Sequence, residues 1–512
     1  MRAPDPIRQI TKDTFFYGLG SAAQRLMMFL LFPLYARLLT QADFGAQDLI
    51  ATAMMIATQF IILGLDSGAA RYFYDAQSSR EQEEILSTWL WFSFLLSVPI
   101  CLVLIFLADA ICVFVFRDPT LISVFRLGIA TLPFSLVASV GMMTLRMTFQ
   151  SKTYSLICVL GVILQGLSSL YLIAVLHLGL MGVFLAGMLV SLFQATLGIA
   201  FTHHHYRLVL SRRWLKGMLT FGLPMVIAGL SLWILNYSNR YFLVRFGSLS
   251  DIGLLSVAGR VASVLTFLVS AFQIAWGPFA YSLIKDVEVA RRTYSRILTY
   301  FLLCSLTGSV GLAIFGREAI LFLATPAYEP AAPLVPFLCA GIVAWGAFYI
   351  VGMGYGIARK NYHTMILTLL AATVNAGLNF LLIPRWGILG AAIGTALGNF
   401  VALAYGYVAG QHYFSVHYEG RRIASLVAIA SIAMVIGVLI DRTQTLWRFD
   451  VFFYKSVLYL GFLLGLLGLK IVTQEEWNYL RGYLKHCLVW TQRNRDLEDG
   501  GAATLQRMRG KD

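Results

Sequence analysis

The stretch Thr14–Leu39 reads TFFYGLGSAAQRLMMFLLFPLYARLL and carries a single charge at its centre. Arg25 has about ten largely apolar residues on either side. At ~1.5 Å rise per residue it lies roughly 18 Å along a helix from Asp13. A hydrocarbon core is about 30 Å thick, so a helix that spans it holds this guanidinium near the midplane. A charge there costs at least ~2.5–3.5 kcal/mol and by default faces a protein interior or a watery cavity. Gly18, Ser21 and Ala22, at i−7, i−4 and i−3, give it a small, partly polar face. The rest of the chain is therefore read for what it builds around such a charge.

Composition bounds the class. Of 512 residues, 59% are hydrophobic and 12% charged, against about 25% charged in ordinary soluble domains. This is the composition of an all-α polytopic membrane protein. The arm before residue 14 is polar and the run after it is too long for a signal-peptide core, so no cleaved leader is expected. The net charge of +14 is accounted for by basic loops rather than by a nucleic-acid partner. Six scattered cysteines without paired spacing argue for neither disulfides nor a metal. The tract His203-His204-His205 cannot present one helical face, and it reads as a loop start. No Walker, GxSxG or HExxH pattern occurs, so no catalytic residue, cofactor or enzyme activity is expected.

Apolar runs long enough to span number about fourteen, near 14–39, 46–66, 86–108, 120–145, 153–176, 180–202, 217–245, 252–282, 293–316, 330–357, 362–383, 387–410, 423–441 and 451–471. With the N-terminus in the cytoplasm, inside segments hold 27 Lys and Arg and outside segments 7. Both termini are therefore expected in the cytoplasm. A constant shift of 208 residues superimposes Arg37 on Arg245, Asp43 on Asp251, Gly45 on Gly253, Lys152 on Lys360, Tyr154 on Tyr362, Gly179 on Gly387 and Gly182 on Gly390. The shift moves the first helix onto the seventh, an even number, so both copies keep one membrane orientation. The expected organisation is a six-helix lobe at 1–210, its repeat at 211–420, a helix pair at 421–472 and a tail at 473–512. Trp477, Leu480, Leu484 and Leu488 give the tail an amphipathic start.

Two intramembrane arginines stand out. Arg260 lies nine residues beyond Asp251, ~14 Å into its helix, flanked by Ser256 and Ser263 at i−4 and i+3. Arg25 and Arg260 in one cleft would suit a diphosphate, since each planar fork holds phosphate oxygens bidentately; the plainer alternative is pairing with a carboxylate or carbonyls. Arg240 closes the polar run Asn236–Arg240, where a sugar-facing role competes with snorkelling to the surface. Arg126 and Lys455 read as snorkelling. Asn375 and Asn379 share a face with Thr364 and Thr368, either lining a cavity or, as is commoner, gluing helices together. Gln24, beside Arg25, is similarly placed. Asp48 and Asp66 fall near helix ends, which favours a structural role over ion coupling.

The fourteen helices, the duplicated lobes and the midplane arginine resemble the multidrug/oligosaccharidyl-lipid/polysaccharide (MOP) exporter superfamily. Phe44-Gly45, the segment Gly64–Asp75 (GLDSGAARYFYD) and the turns Gly179–Gly182 and Gly387–Gly390 resemble its polysaccharide-biosynthesis branch, the O-antigen, Wzx-type flippases. The resemblance implies two lobes around a cationic cavity that opens alternately to each membrane face. The implied cargo is a polyprenyl-diphosphate-linked oligosaccharide, turned to the outer leaflet of a prokaryotic inner membrane for lipopolysaccharide or another surface polysaccharide. Other polysaccharide-assembly proteins would be partners beside the bilayer itself. In the related flippases arginines of helices 1 and 8 line the cavity, the helices of Arg25 and Arg260; Arg71 falls in the motif leaving helix 2, a gate position. Alternatives are a peptidoglycan-precursor (lipid II) flippase, a multidrug or cation antiporter of the same superfamily, and, in another class, a membrane polysaccharide polymerase or ligase. The antiporter lacks an evident intramembrane carboxylate, and the enzyme lacks a large outer loop.

Overall fold

The computed structural model describes residues 16, 18, 20, 23, 27, 30–442 and 448–468. Gln24, Arg25 and the expected amphipathic tail lie outside the described residues. Among those described, every regular element is helical: α1 (residues 30–38), α2 (Gln41–Ile62), α3 (Leu65–Asp75), α4 (Ser79–Phe106), α5 (Ile122–Met147), α6 (Ser151–Leu170), α7 (Gly179–Thr202), α8 (Arg212–Phe246), α9 (Leu249–Ser282), α10 (Val287–Ile314), α11 (Val335–Val351), α12 (Tyr362–Tyr413), α13 (Gly420–Arg442) and α14 (Arg448–Gly468), with short turns between. Much of the first of the fourteen expected spans lies outside the described residues; among those described, eleven helical stretches are long and apolar enough to cross a membrane. One of them, α12, is two helices joined at Gly387, whose backbone leaves the helical region at φ 55° and ψ −131°. Its repeat mate Gly179 has φ 52°, and both need the left-handed conformation that glycine adopts without Cβ strain. The described residues up to Tyr418 form one compact unit and those from Glu419 a second. The protein is a multi-pass membrane protein.

Burial ranks the helices of the first unit. The α9 span is 61% buried, whereas that of α7 is 22% buried. Leu95, Leu102 and Phe106 on α4 and Leu167 on α6 are exposed, as expected of faces whose solvent is lipid. α9 is central, and α2 and α11 pack along it.

The start of α2 repeats at the start of α9. Thr40 Oγ1 accepts from the Asp43 amide and Asp43 Oδ2 accepts from the Thr40 amide; Ser248 and Asp251 make the same reciprocal pair. Each is a capping box, which satisfies two amides that a helix start leaves open. Because of this cap, α2 begins at Gln41 rather than near residue 46, and Asp48 lies ~10 Å along the helix instead of close to its end. The two helices cross where both lack a side chain. A Cβ on Gly45 would overlap the Leu249 carbonyl, and one on Gly253 would overlap the Gln41 carbonyl. Gln41 and Leu249 are themselves 208 residues apart, so each member of the contact meets the repeat of the other, the relation that a local two-fold axis produces. Farther along, Leu65, Ala69 and Phe73 of α3 bury with Trp214 and Met218 of α8.

Arg126 reaches an exposed site, where it binds Asp109 at 3.0 Å. One expectation about a charge changes. In the second unit Lys455 is fully buried and binds Asp441 at 2.7 Å. It does not snorkel, because a carboxylate on α13 is within reach.

Gly45→Ala is expected to destabilise the protein by about 1–3 kcal/mol through overpacking. Gly187→Ala, at a position where a Cβ meets nothing within 4 Å, is the neutral comparison. Thermal unfolding of both variants in detergent checks this.

Candidate functional site

Three residues beyond Gly45 on the same helical face is Asp48, and its repeat mate is Ser256. The two meet: Ser256 Oγ donates to Asp48 Oδ2 at 2.6 Å. Arg240 Nε donates to the same oxygen at 2.8 Å, and the two charged side chains are only 12% and 21% exposed. One Arg240 terminal nitrogen donates to the Asn236 carbonyl and to Asn239 Oδ1, at 2.8 and 2.7 Å. The guanidinium also sits 5.2 Å from the Tyr237 ring centre. Arg240 thus turns inward and is held by four groups, because the capped start of α2 brings a carboxylate to its level. It does not snorkel. A buried charge-assisted pair of this kind holds well while complete and is costly to break on one side.

One turn along each helix the asymmetry reverses. Thr52 on α2 has Arg260 as its repeat mate on α9. The Arg260 guanidinium has no ion pair among the described residues. It lies instead 5.6 Å from the ring centre of Phe32 and 4.9 Å from that of Phe44. Both rings are buried, and Phe44 is in turn braced edge-on by Tyr328 at 6.0 Å. Aromatic faces attract the cation without neutralising it. They fix its direction and leave its N–H edges to whatever enters.

These groups line one cavity of about 670 Å³. Arg240, Arg260, Asp48, Asn236, Asn239, Ser256 and Ser263 all face it, although the Ser263 hydroxyl donates to the Arg260 carbonyl. A second cavity of about 560 Å³ shares Ala51, Met55, Asn236 and Tyr237 with the first and continues to Thr58 and Gln59. Asn375 and Asn379 stand behind the wall. They are fully buried, with Asn379 Nδ2 donating to Asn375 Oδ1 at 2.8 Å and Ser238 Oγ donating to the same oxygen at 3.2 Å. This is contact between α8 and α12, the gluing role. Asp66 is exposed in the first turn of α3, outside both cavities. Arg71 is exposed and pairs with Asp75 at 3.2 Å, one turn on. Among the described residues no three His, Cys, Asp or Glu side chains are placed to hold a metal.

Sequence reasoning placed Arg260, Arg240 and their polar neighbours together but missed the pairing of Asp48 with Arg240 and the Phe32–Phe44 bracket. The 208 shift held the signal for the first, since it puts Asp48 on Ser256, one turn from the matched glycines. Phe44 stands in the Phe44-Gly45 pair noted above, but nothing in the sequence marks it or Phe32 as a ring partner of Arg260.

A duplicated helical fold around a polar, partly cationic cavity is the design of a membrane transporter. Among solved structures, the chain is similar to an inward-facing multidrug resistance MATE family transporter of the MOP superfamily, with a TM-score of 0.66, 18% identity, and coverage of 81% of this chain and 96% of that one. It is equally similar to the lipid II flippase MurJ in an inward closed conformation, at TM-score 0.66 and 13% identity over 88% and 98% of the two chains. The fold is that of the MOP superfamily. Residues 34–333 match the family described as polysaccharide biosynthesis protein, more than half of the chain, and the protein belongs to that family. A curated relative, an uncharacterised membrane protein of Methanocaldococcus jannaschii, is 26% identical over 280 residues, 53% of this chain and 54% of the relative. The chain spans about half the length of that relative.

Arg240→Met is expected to cost about 3–5 kcal/mol by leaving Asp48 buried and unpaired, and Arg240→Met combined with Asp48→Leu to recover most of it. A double-mutant cycle on detergent unfolding temperatures measures the difference.

Proposed function

We propose that the protein is a flippase that carries a polyprenyl-diphosphate-linked oligosaccharide from the cytoplasmic to the outer leaflet of a prokaryotic inner membrane, for surface polysaccharide assembly. The observation that carries this reading is Arg260: a guanidinium inside a cavity of about 670 Å³, held by aromatic rings and without an ion pair among the described residues. Such a group is costly in a membrane interior unless it serves an anion. Its planar fork suits phosphate oxygens. Membership in the polysaccharide biosynthesis family supports a glycan as the rest of the headgroup.

In this mechanism the lobes 1–210 and 211–420 rock about the α2–α9 crossing, with both termini in the cytoplasm. The diphosphate binds Arg260, joined by Arg25 of the first apolar run of the sequence. The sugars use the polar wall of Asn236, Asn239 and Ser256. The polyprenyl tail stays in lipid while the headgroup passes through the hydrated cavities. Arg71 lies at the cytoplasmic exit of helix 2 as a gate residue. Phosphate binding shifts the lobes only insofar as it binds one arrangement better than the other. The tied state of Asp48 disfavours a cation antiporter, because a cation or proton would first have to displace Arg240. No chemical step is involved, so the protein is a transporter and not an enzyme.

Arg260→Gln is expected to lower transport of a fluorescent lipid-linked oligosaccharide in proteoliposomes by about a hundredfold, as loss of a charge-assisted contact to phosphate. Arg260→Lys, which keeps the charge without the fork, falls between. Wild-type rates in Arg260→Gln would refute the reading.

A further inference from the structure

Among the described residues the cavity's charges are divided between two levels, and one level offers positive charge without a carboxylate partner. Arg240 spends its cation on Asp48 and two further acceptors. On Asp48, one oxygen takes both donors: Oδ2 accepts from Arg240 and from Ser256. The other oxygen, Oδ1, accepts no hydrogen bond among the described residues, and the side chain faces the cavity. A carboxylate oxygen with open lone pairs repels a phosphate and accepts from a hydroxyl. Phosphate therefore belongs at Arg260 and a neutral hydroxyl donor at Asp48.

We infer that the cavity holds two subsites, a phosphate subsite at Arg260 and a sugar subsite whose acceptor is Asp48 Oδ1, so that Asp48 reads the sugar attached to the diphosphate. This inference rests on the flippase reading and specifies its substrate. Ser256, which anchors Asp48, and Arg260 are four residues apart on α9, about 6 Å along its axis. That is about the width of one pyranose ring, so phosphate and ring hydroxyl reach both levels together. The Tyr237 ring and the Asn236 and Asn399 amides line the same cavity; they give the ring an apolar face and further polar partners. The Arg240 pair is then a positioning device: it fixes which Asp48 oxygen points at the sugar, and it withholds a second cation that would draw the phosphate to the wrong level.

The test is equilibrium binding to the full-length protein in lipid nanodiscs, read by intrinsic tryptophan fluorescence. Two probes are compared, polyprenyl diphosphate alone and the same lipid carrying one N-acetylhexosamine. Wild type is expected to prefer the sugar-bearing lipid by about tenfold, the order of one hydrogen bond to a charged group. In Asp48→Asn the preference drops below about threefold, while the bare diphosphate binds several-fold more tightly because the repelling carboxylate is gone. Asp48→Asn/Arg240→Gln, which leaves no unpaired buried charge, gives the same pattern if the single variant folds poorly. A sugar preference retained in these variants, equal weakening of both probes, or no preference in wild type overturns the inference. Failure of wild type to bind either probe overturns the flippase reading as well, whereas equal binding of both probes overturns only the two-subsite assignment.

Discussion

The bond between Asp48 and Arg240 decides what the cavity is. Among the described residues two arginines enter it, from α8 and α9, and one carboxylate, from α2, pairs with only one of them. That pairing removes one cation from the cavity's usable charge and leaves Arg260, which is steered by rings rather than neutralised. Were Asp48 absent, the site would offer two unshared guanidiniums and an anion could settle at either level. Were Arg240 absent, a carboxylate would stand unpaired in a low-dielectric interior, at a cost that few folds tolerate.

The duplication explains how so few residues accomplish this. The crossing of α2 and α9 is built twice from the same parts, the capping boxes and the two glycines, and its geometry is nearly self-complementary. Residues beside a local two-fold axis meet their own repeat mates. At that axis the copies have diverged: Asp48 meets the hydroxyl of its mate Ser256, and one turn on, Thr52 and its mate Arg260 both line the cavity. A symmetric frame thus carries an asymmetric site, which suits a headgroup whose two ends differ in charge.

Much of this was legible in the sequence. Apolar run length located the helices, because a bilayer imposes a minimum span, and the 208 shift exposed the repeat. Arg260 was readable as a site residue because a charge inside an apolar run has few structural excuses. The depth of Asp48 was misjudged for a local reason: the segment Thr40–Asp43 looks like a loop, yet it caps α2 and extends it by more than a turn, moving Asp48 inward. Arg240 looked able to reach the surface, since its inward partner lies 192 residues earlier in the chain. The aromatic bracket was invisible because cation–ring contacts depend on tertiary placement, and the chain has 36 phenylalanines. Arg25 and Gln24, from which the sequence reading began, lie outside the described residues, and their part in the site remains a proposal.

The most direct test is a distance. Solid-state NMR on the protein with 15N-labelled arginine, loaded with a polyprenyl-diphosphate-linked sugar, measures dipolar coupling between guanidinium nitrogens and lipid phosphorus. Hydrogen-bonding distances of 2.7–2.9 Å between nitrogen and oxygen put nitrogen and phosphorus about 4 Å apart. The expected result is a coupling of that range that is reduced in Arg260→Lys, where only Arg25 would still couple, and retained in full in Arg240→Gln. A coupling that survives Arg260→Lys and disappears in Arg240→Gln, or no coupling in the loaded wild type, would contradict the account.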